Sequence, residues 1–213
     1  MKFIALSDTH GKHRLLKNLP AADVIIHAGD VSVNGYDHSV QDFLNWFSKL
    51  DYAHKIFIAG NHDRFFEDEP AGLIKRIIPD NVVYLNDSGI CINGINIWGS
   101  PITPWFYNWA FNRERGKDIS KHWKLIPANT DILITHGPPY GILDRVSHGH
   151  VGCEELLKKV KSVKPRVHVF GHIHEAYGSF ENKNTRFINA SVLDNEYDLK
   201  NPPVEFMLKS IVG

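Results

Sequence analysis

Five short, almost uninterrupted apolar runs constrain the fold of this chain more than any other feature of its sequence. They are KFIAL (2–6), DVIIHA (23–28), KIFIA (55–59), DILIT (131–135) and RVHVF (166–170). Runs of this length without regular polar alternation are typical of strands that are buried on both faces. The sequence therefore predicts a sheet whose central strands are covered on both sides.

Segments with helical spacing lie between these runs. Helices are predicted near 12–19, near 37–50, up to 78 before Pro79, and over 153–163 before Pro165. In the second of these, apolar residues at Val40, Phe43, Leu44, Phe47 and Leu50 would form one face. Strands that alternate with helices indicate an α/β fold.

Two further segments alternate as β-hairpins do. GICINGINIWG (89–99) turns at Asn93-Gly94, a pair strongly favoured in two-residue hairpin turns, and SFENKNTRFINAS (179–191) turns around 182–184. Added hairpins mean that the sheets are mixed rather than purely parallel. No linker, repeat or low-complexity tract interrupts the pattern, so residues 1–213 are predicted to form a single domain.

Composition excludes several classes of protein. Lys plus Arg and Asp plus Glu are equal at 24 each, so a basic surface for long nucleic acid is not expected. No apolar run approaches the roughly 20 residues that span a bilayer, and the first residues are too short for a signal peptide. Two distant cysteines do not suggest a disulfide framework. We expect a cytoplasmic protein with no membrane partner; its oligomeric state is not predicted.

Polar residues follow every one of the five buried runs, usually beside glycine. The donors among them are Asp8, His10, Asp30, Asn61, His136, His172 and His174. Ligands of α/β folds bind beyond the carboxyl ends of the strands. A single Asp at such a position is more often a helix N-cap, but five such strand ends together are better explained by one site.

The donor set favours divalent metal ions. Carboxylate, amide oxygen and imidazole without thiolate suit Mn, Fe, Zn or Mg better than a structural zinc site. Seven donors exceed the needs of one tetrahedral ion and suit two ions that share a carboxylate. Two ions about 3.5–4 Å apart are used in the hydrolysis of phosphate esters.

The order of these motifs resembles a known family. D-x-H, G-D, G-N-H-[DE], H-x-P-P and G-H-x-H occur in this order between Asp8 and His174, as in the calcineurin-like metallophosphoesterases. GSPITPWFYNWAFNRERG (99–116) and DRVSHGHVGCEELL (144–157) are similar to the small metallophosphoesterase-domain branch of bacteria and animal brain. The resemblance implies mixed sheets in a four-layer α/β/β/α sandwich, and hydrolysis of cyclic nucleotides or other small nucleotide-like phosphodiesters.

The resemblance also implies a role for each donor. The first metal would be held by Asp8, His10, Asp30 and His174, and the second by Asp30, Asn61, His136 and His172. His62 would be the catalytic residue, facing the scissile phosphate and protonating the leaving group, and a hydroxide bridging the metals would be the nucleophile. Manganese is the favoured metal, with iron, zinc or magnesium as alternatives.

One position departs from the family pattern. Many protein-phosphatase relatives carry an Asp three residues after the bridging Asp, where it orients the catalytic histidine. Here that position is Val33, and the neighbouring Asp63 need not point the same way as His62. The sequence leaves open what orients His62, and it weakens the interpretation as a phosphoprotein phosphatase.

The substrate pocket is less well defined by the sequence. Five aromatic residues occur within residues 105–111, either as a loop packed on the core or as a wall that stacks a nucleobase. Asn108, Arg113 and His150 are the predicted substrate-binding residues, and His148 is either a pocket or a solvated loop residue. Asp144 and Arg145 are interpreted either as an ion pair or as a substrate contact.

Three alternative functions remain. The same metal core serves a phosphomonoesterase, including a Ser/Thr phosphoprotein phosphatase. A non-catalytic scaffold is a more distant alternative, because such relatives lose ligands or the catalytic histidine and this chain keeps them. A nuclease is disfavoured for long polymers by the neutral charge.

Overall fold

The computed structural model describes residues 1–209, which form two main β-sheets with helices on their outer faces. The strands are β1 (Lys2–Leu6), β2 (Val24–Ala28), β3 (His54–Ile58), β4 (Val83–Tyr84), β5 (Ser88–Ile92), β6 (Ile95–Ser100), β7 (Thr103–Pro104), β8 (Asn112–Arg113), β9 (Ile132–Thr135), β10 (Arg145–Val146), β11 (Gly149–His150), β12 (Val167–Phe170), β13 (Gly178–Glu181), β14 (Arg186–Asn189) and β15 (Val204–Met207). The helices are α1 (Asp37–Ser48), α2 (Phe65–Asp68), α3 (Ala71–Ile77), α4 (Lys117–Leu125) and α5 (Glu154–Val163). Short 3₁₀ turns span His13–Leu15 and His174–Ala176.

Parallel strands form the centre of both sheets. The first sheet has the order β15-β1-β2-β3-β4, in which only β15 is antiparallel to its neighbour. The second has the order β13-β14-β12-β9-β6-β5, with antiparallel pairs at both edges. Both edge pairs of this second sheet are the predicted hairpins. The prediction of mixed sheets is therefore confirmed.

Side-chain alternation along β1 shows how the layers are packed. Phe3 and Ala5 belong to the apolar core between the two sheets, whereas Ile4 and Leu6 belong to the core beneath the helices. Successive side chains of a strand point to opposite faces, so an apolar run is what a strand covered on both sides requires. Full burial of each large apolar side chain contributes roughly 1.5–3 kcal/mol.

Helices cover the outer face of each sheet. Phe43 and Phe47 of α1 lie in the same core as Phe57 of β3 in the first sheet. On the other side, α4 and α5 contact each other, and Trp123 of α4 shares its core with Leu133 of β9. The resulting order of layers, α/β/β/α, is the predicted four-layer sandwich.

The helix predicted near 12–19 is shortened to the single 3₁₀ turn His13–Leu15. The backbone is already extended at Leu16, with ψ of 97°, Asn18 adopts a left-handed backbone with φ of 56°, and Pro20 follows two residues later. A residue in this conformation interrupts the helical hydrogen-bond pattern, and Pro20 supplies no N–H to resume it. The apolar spacing thus correctly indicated that Leu16 and Leu19 pack against the core, but it was not sufficient to predict a helix.

The carboxyl ends of the two sheets are joined by backbone hydrogen bonds. Ser7, directly after β1, donates from its N–H to the carbonyl of Ala190 after β14, and the N–H of Val192 donates back to Ser7 O, at 2.8 Å and 3.0 Å. Within the second sheet, the N–H of Gly171 after β12 donates to the carbonyl of His136 after β9 at 3.0 Å. The loops that follow the parallel strands therefore converge on one rim. Within residues 1–209, no helix has the length and apolar character needed to cross a membrane.

Candidate metal centre

The rim between the sheets brings the predicted donors into three overlapping groups. In each group, one potential ligand atom from each of three residues lies within 4.8 Å of the others. The groups are Asp8 with His10 and His174, Asp30 with His136 and His172, and His10 with Asp30 and His62. Asn61, the remaining predicted donor, places its Oδ1 at 2.9 Å from His136 Nε2.

Four of the donor residues adopt a left-handed backbone. The φ angles of Asp8, His10, Asp30 and His172 are 56°, 41°, 55° and 69°. Non-glycine residues in this region cost of order 1–3 kcal/mol each and persist where the surroundings fix them. Here the N–H of Asp8 donates to Gly29 O at 2.9 Å, and that of His10 donates to Asp30 O at 3.0 Å. The chain turns sharply at the strand ends and aims these side chains inward.

Two glycines permit a close approach at the rim. A Cβ at Gly171 would run into the carboxylate of Asp8, and one at Gly60 would run into Asp30 and the ring of His136. Each of them directly follows one of the buried apolar runs. Their lack of a side chain is what lets neighbouring donors approach.

Asp8 is a fully buried carboxylate held by several donors. Its Oδ2 accepts hydrogen bonds from Ser191 Oγ at 2.7 Å and from the N–H of His172 at 3.0 Å. Burial alone would raise the pKa of Asp8, but the imidazole of His174, 3.6 Å away, together with that of His136, holds this pKa well below its usual range. Asp8 therefore stays ionised.

Two of the imidazoles are fixed by backbone carbonyls. His136 Nδ1 lies 2.9 Å from Ala28 O, and His174 Nδ1 lies 2.9 Å from Asp194 O. A carbonyl only accepts, so each Nδ1 carries a proton and each Nε2 faces the rim, as in metal sites where a second contact orients the ligand. Burial opposes protonation of both, yet Asp30 beside His136 and Asp8 beside His174 raise the pKa of each imidazole to about 9.

His10 provides the test of whether a cation fits. Both of its ring nitrogens are buried, and neither has a hydrogen-bond partner within residues 1–209. Burial lowers the pKa of His10 to about 4, so the ring is neutral although Asp30 Oδ2 is 3.6 Å away. Buried polar atoms are rarely left unpaired. An unprotonated imidazole beside ionised carboxylates fits a bound divalent cation.

The structure answers what orients His62. Its Nδ1 lies 2.7 Å from the carbonyl oxygen of Val33, and its ring stacks on Trp109. The carboxylate of Asp63 points elsewhere and accepts from the N–H groups of Gly60, Val31 and Ser32. The backbone of the residue that departs from the family pattern thus takes over the orienting contact.

A cavity of about 770 Å³ opens onto the donors. Asn108 and His150 line it as predicted, whereas Arg113 does not; Arg64 and Arg115 line it instead. Arg113 is turned away because its guanidinium pairs with Glu67 at 3.0 Å. We therefore do not retain Arg113 as a substrate-binding residue.

The aromatic segment is divided between the core and the cavity. Phe111 is buried in the core, whereas Trp105, Phe106 and Tyr107 line the cavity with 52%, 55% and 70% of their surface exposed. Trp109 also lines the cavity. Exposed large aromatic side chains beside a cavity are unusual and mark a binding surface.

His150, whose side chain is 41% exposed, is held by the buried carboxylate of Asp144. Its Nδ1 lies 2.6 Å from Asp144 Oδ1, and Asp144 Oδ2 accepts from the N–H groups of Gly141 and Gly152. The carboxylate of Asp144 thus binds His150 and the loop backbone. It forms neither the ion pair with Arg145 nor the substrate contact that the sequence suggested.

Tyr197 is a cavity residue that sequence reasoning missed. Its ring centroid lies 5.0 Å from those of both His10 and His174, and its exposed face lines the cavity. It lies in a loop far along the chain from the motifs, so no spacing signal could have found it. Arg64 could have been found, because it directly follows the Asn61-His62-Asp63 motif.

Comparisons with known proteins agree with this arrangement. A family model described as calcineurin-like phosphoesterase matches residues 1–176. The chain is 43% identical over 227 residues to metallophosphoesterase domain-containing protein 1 of Homo sapiens, covering 95% of this chain and 69% of that protein. It is 38% identical to a UPF0046 protein of Caenorhabditis elegans, covering 97% of this chain and 59% of that protein. One solved structure superposes with a TM-score of 0.66 at 18% identity over 88% of this chain and 89% of its own, which supports the fold.

Proposed function

This chain belongs to the calcineurin-like phosphoesterase family of metal-dependent phosphoester hydrolases, and from that premise we propose that it is a phosphodiesterase with two divalent cations. The proposed substrates are cyclic nucleotides or other small nucleotide-like phosphodiesters. Manganese is the proposed metal among the ions that suit carboxylate and amide oxygens combined with imidazoles, with iron, zinc or magnesium as alternatives.

One observation carries the proposal. Two groups of buried donors, Asp8 with His10 and His174, and Asp30 with His136 and His172, lie on the same rim. The same oxygen of Asp30, Oδ2, lies 3.6 Å from His10 Nε2 and 3.2 Å from His136 Nε2. A carboxylate between two imidazole groups is suited to bridge two cations.

Divalent cations bound there would neutralise the phosphate oxygens and lower the pKa of a water molecule enough to supply a nucleophile. The protein itself would fix the geometry: Nδ1 contacts hold His136 and His174, and the N–H of His62 holds Asp30 Oδ1 at 2.8 Å. As an imidazolium, His62 would keep its Nδ1 proton on Val33 O and would donate its Nε2 proton to the leaving oxygen, which leaves the ring neutral.

The cavity supports a substrate larger than phosphate alone. Its volume of about 770 Å³ exceeds what a phosphate needs, and Trp105, Phe106 and Tyr107 offer flat faces for a base. Asn108 and His150 are proposed as hydrogen-bonding partners of the substrate. The cavity lined by these aromatic side chains is therefore better matched to a nucleotide-like ester than to a phosphate ester without a base.

A substrate panel tests the proposal. Protein loaded with Mn²⁺ should be assayed on bis-p-nitrophenyl phosphate, p-nitrophenyl phosphate, and 2′,3′- and 3′,5′-cyclic nucleotides. We expect kcat/KM for the diesters to exceed that for the monoester by at least about tenfold. A preference for the monoester would favour the phosphomonoesterase or phosphoprotein phosphatase alternative, and no hydrolysis of any substrate would favour the scaffold.

A further inference from the structure

Trp109 is in direct contact with the imidazole of His62. The two ring centroids are 4.2 Å apart, and the ring planes differ by 29°, which is a stacked arrangement. The edge of His10 approaches the same imidazole, with centroids 4.6 Å apart and planes at 89°. The indole face therefore covers one side of an imidazole that is otherwise only partly buried.

A single hydrogen bond does not fix an imidazole. The bond from Nδ1 to Val33 O restrains one atom, but the χ2 torsion of histidine is intrinsically broad, so the plane of the ring can still tilt while that bond is kept. A flat surface in van der Waals contact removes that freedom. The stack on Trp109 is thus the contact that sets the plane of the ring and the direction of Nε2.

The segment that carries Trp109 is tied to the loop that carries His62. The N–H of Ala110 donates to Asn61 O at 3.1 Å, and that of Phe111 donates to Glu67 Oε2 at 2.7 Å. Arg64 also donates to the carbonyl of Asn108. Contacts on both sides of Trp109 hold the indole in register with His62, independently of any substrate.

We propose that Trp109 is a positioning residue, whose indole face holds the imidazole of His62 in the plane from which Nε2 reaches the leaving oxygen of the substrate. This inference rests on the proposed function of His62 and adds a residue to it. It also separates Trp109 from Trp105, Phe106 and Tyr107, which line the same cavity but do not stack on His62.

Hydrolysis of a series of phenyl phosphodiesters with increasingly poor leaving groups tests this role in wild-type, His62→Ala, Trp109→Leu and Trp109→Phe proteins. Loss of a positioned acid slows poor leaving groups more than good ones. We expect Trp109→Leu to lower kcat for the poorest leaving group by about 10- to 100-fold, with much smaller loss for p-nitrophenyl esters and little change in KM. Trp109→Phe, which keeps a flat face, should restore most of that loss.

The double variant His62→Ala/Trp109→Leu provides the decisive comparison. If Trp109 acts through His62, the double variant should be no slower than His62→Ala alone. Additive losses, or equal losses for good and poor leaving groups in Trp109→Leu, would overturn the inference and leave the proposed function intact. Failure of the wild-type protein to hydrolyse any diester would instead overturn the proposed function.

A readout without turnover uses the metal-free protein. The ring protons of His62 should be shifted in the NMR spectrum by the indole, and Trp109→Leu should remove that shift. Tyr36→Leu is the matched control, because Tyr36 also stacks on a histidine, His38, at 5.9 Å and outside the cavity. Tyr36→Leu should change neither the His62 resonances nor the leaving-group dependence; an unshifted His62 in the wild-type protein would contradict the stack.

Discussion

The imidazole Nδ1 of His62 donates a hydrogen bond to the backbone carbonyl oxygen of Val33 across 2.7 Å. Because a carbonyl cannot donate, this contact requires a proton on Nδ1 and leaves Nε2 free to serve the substrate. In relatives with an Asp at this position, a carboxylate would make the orienting contact. Here the loop after β2 supplies the acceptor from its main chain. Val33 therefore provides an orienting contact for His62 although its side chain cannot accept a hydrogen bond.

Removal of the imidazole should separate catalysis from metal binding. His62→Ala is expected to keep its bound metal yet lose about 10²- to 10⁴-fold in kcat for esters with poor leaving groups, since a general acid contributes on this scale. Metal content after gel filtration and kcat for two leaving groups provide the measurements. Loss of metal together with activity would mean that His62 is a ligand, which its place in one of the donor groups makes a real alternative.

His172 and His174 should serve different metal ions. They lie two residues apart, yet His174 is grouped with Asp8 and His172 with Asp30. His172→Ala and His174→Ala are each expected to lower the Mn²⁺ stoichiometry from two to one, and the double variant should lose both ions.

Electron paramagnetic resonance distinguishes the outcome, because a coupled pair of Mn²⁺ ions gives a different signal from an isolated ion. Each single variant should show only the isolated signal. If either variant lost both ions in one step, the two histidines would act on a single site. The exposed His38 offers a control variant, His38→Ala, which should retain the coupled signal.

Gly60→Ala should damage the site through backbone geometry. A Cβ there would meet Asp30 and the ring of His136, so the donors must move apart. We expect Mn²⁺ affinity to fall about 10- to 100-fold and unfolding free energy to fall by about 1–3 kcal/mol. Gly72→Ala in α3 is the matched control: a Cβ there meets nothing within 4 Å, and stability should rise by about 0.5–1 kcal/mol.

The free energy of unfolding should decrease as the pH is lowered below about 6.5, because His168 is buried in its neutral form. Burial lowers the pKa of His168 to about 3, while in the unfolded chain it titrates near its ordinary value of about 6.5. Between these values the unfolded chain binds the extra proton, so acidification favours unfolding. The contribution is fully present above about 6.5 and is lost progressively as pH falls towards 3.

His168→Gln tests this contribution. Thr135 Oγ1 donates to Gly137 O, so its oxygen accepts from His168 Nε2, and a glutamine amide can replace that donor. Urea unfolding between pH 5 and 7 should show a pH slope that is shallower by about one proton in the variant. An unchanged slope would show that His168 does not remain neutral in the folded protein.

Trp105→Ala should raise KM for cyclic nucleotides without a comparable effect on bis-p-nitrophenyl phosphate. Its exposed indole lines the cavity but is not among the stacking partners of His62. A stacked base contributes roughly 1–3 kcal/mol, which corresponds to an increase in KM of about 5- to 100-fold where KM reflects binding. Equal increases for both substrates would argue against base stacking at this wall.

The buried strands and both hairpins could be predicted because their signals are local. A strand covered on two faces needs an apolar residue at nearly every position, and Asn93-Gly94 has the positive φ angles, 49° and 77°, that its turn requires. The helix near 12–19 failed because apolar spacing does not register a single left-handed residue such as Asn18. The loop that places Tyr197 beside His10 carries no local signal at all.

By itself, the sequence determined which strand ends carry Asp, Asn or His, and parallel strands of one sheet end on the same side. That the ends of β1, β2 and β3 share a rim with those of β9 and β12 was decided by the packing of the two sheets. Tertiary structure alone decided that Val33 O orients His62, that Glu67 withdraws Arg113 from the cavity, and that Trp109 covers the imidazole. The physical reason is that these contacts join residues distant in sequence, and one of them uses a backbone carbonyl that every residue possesses. Side-chain identity can specify a donor, but only the folded chain specifies which neighbour it meets.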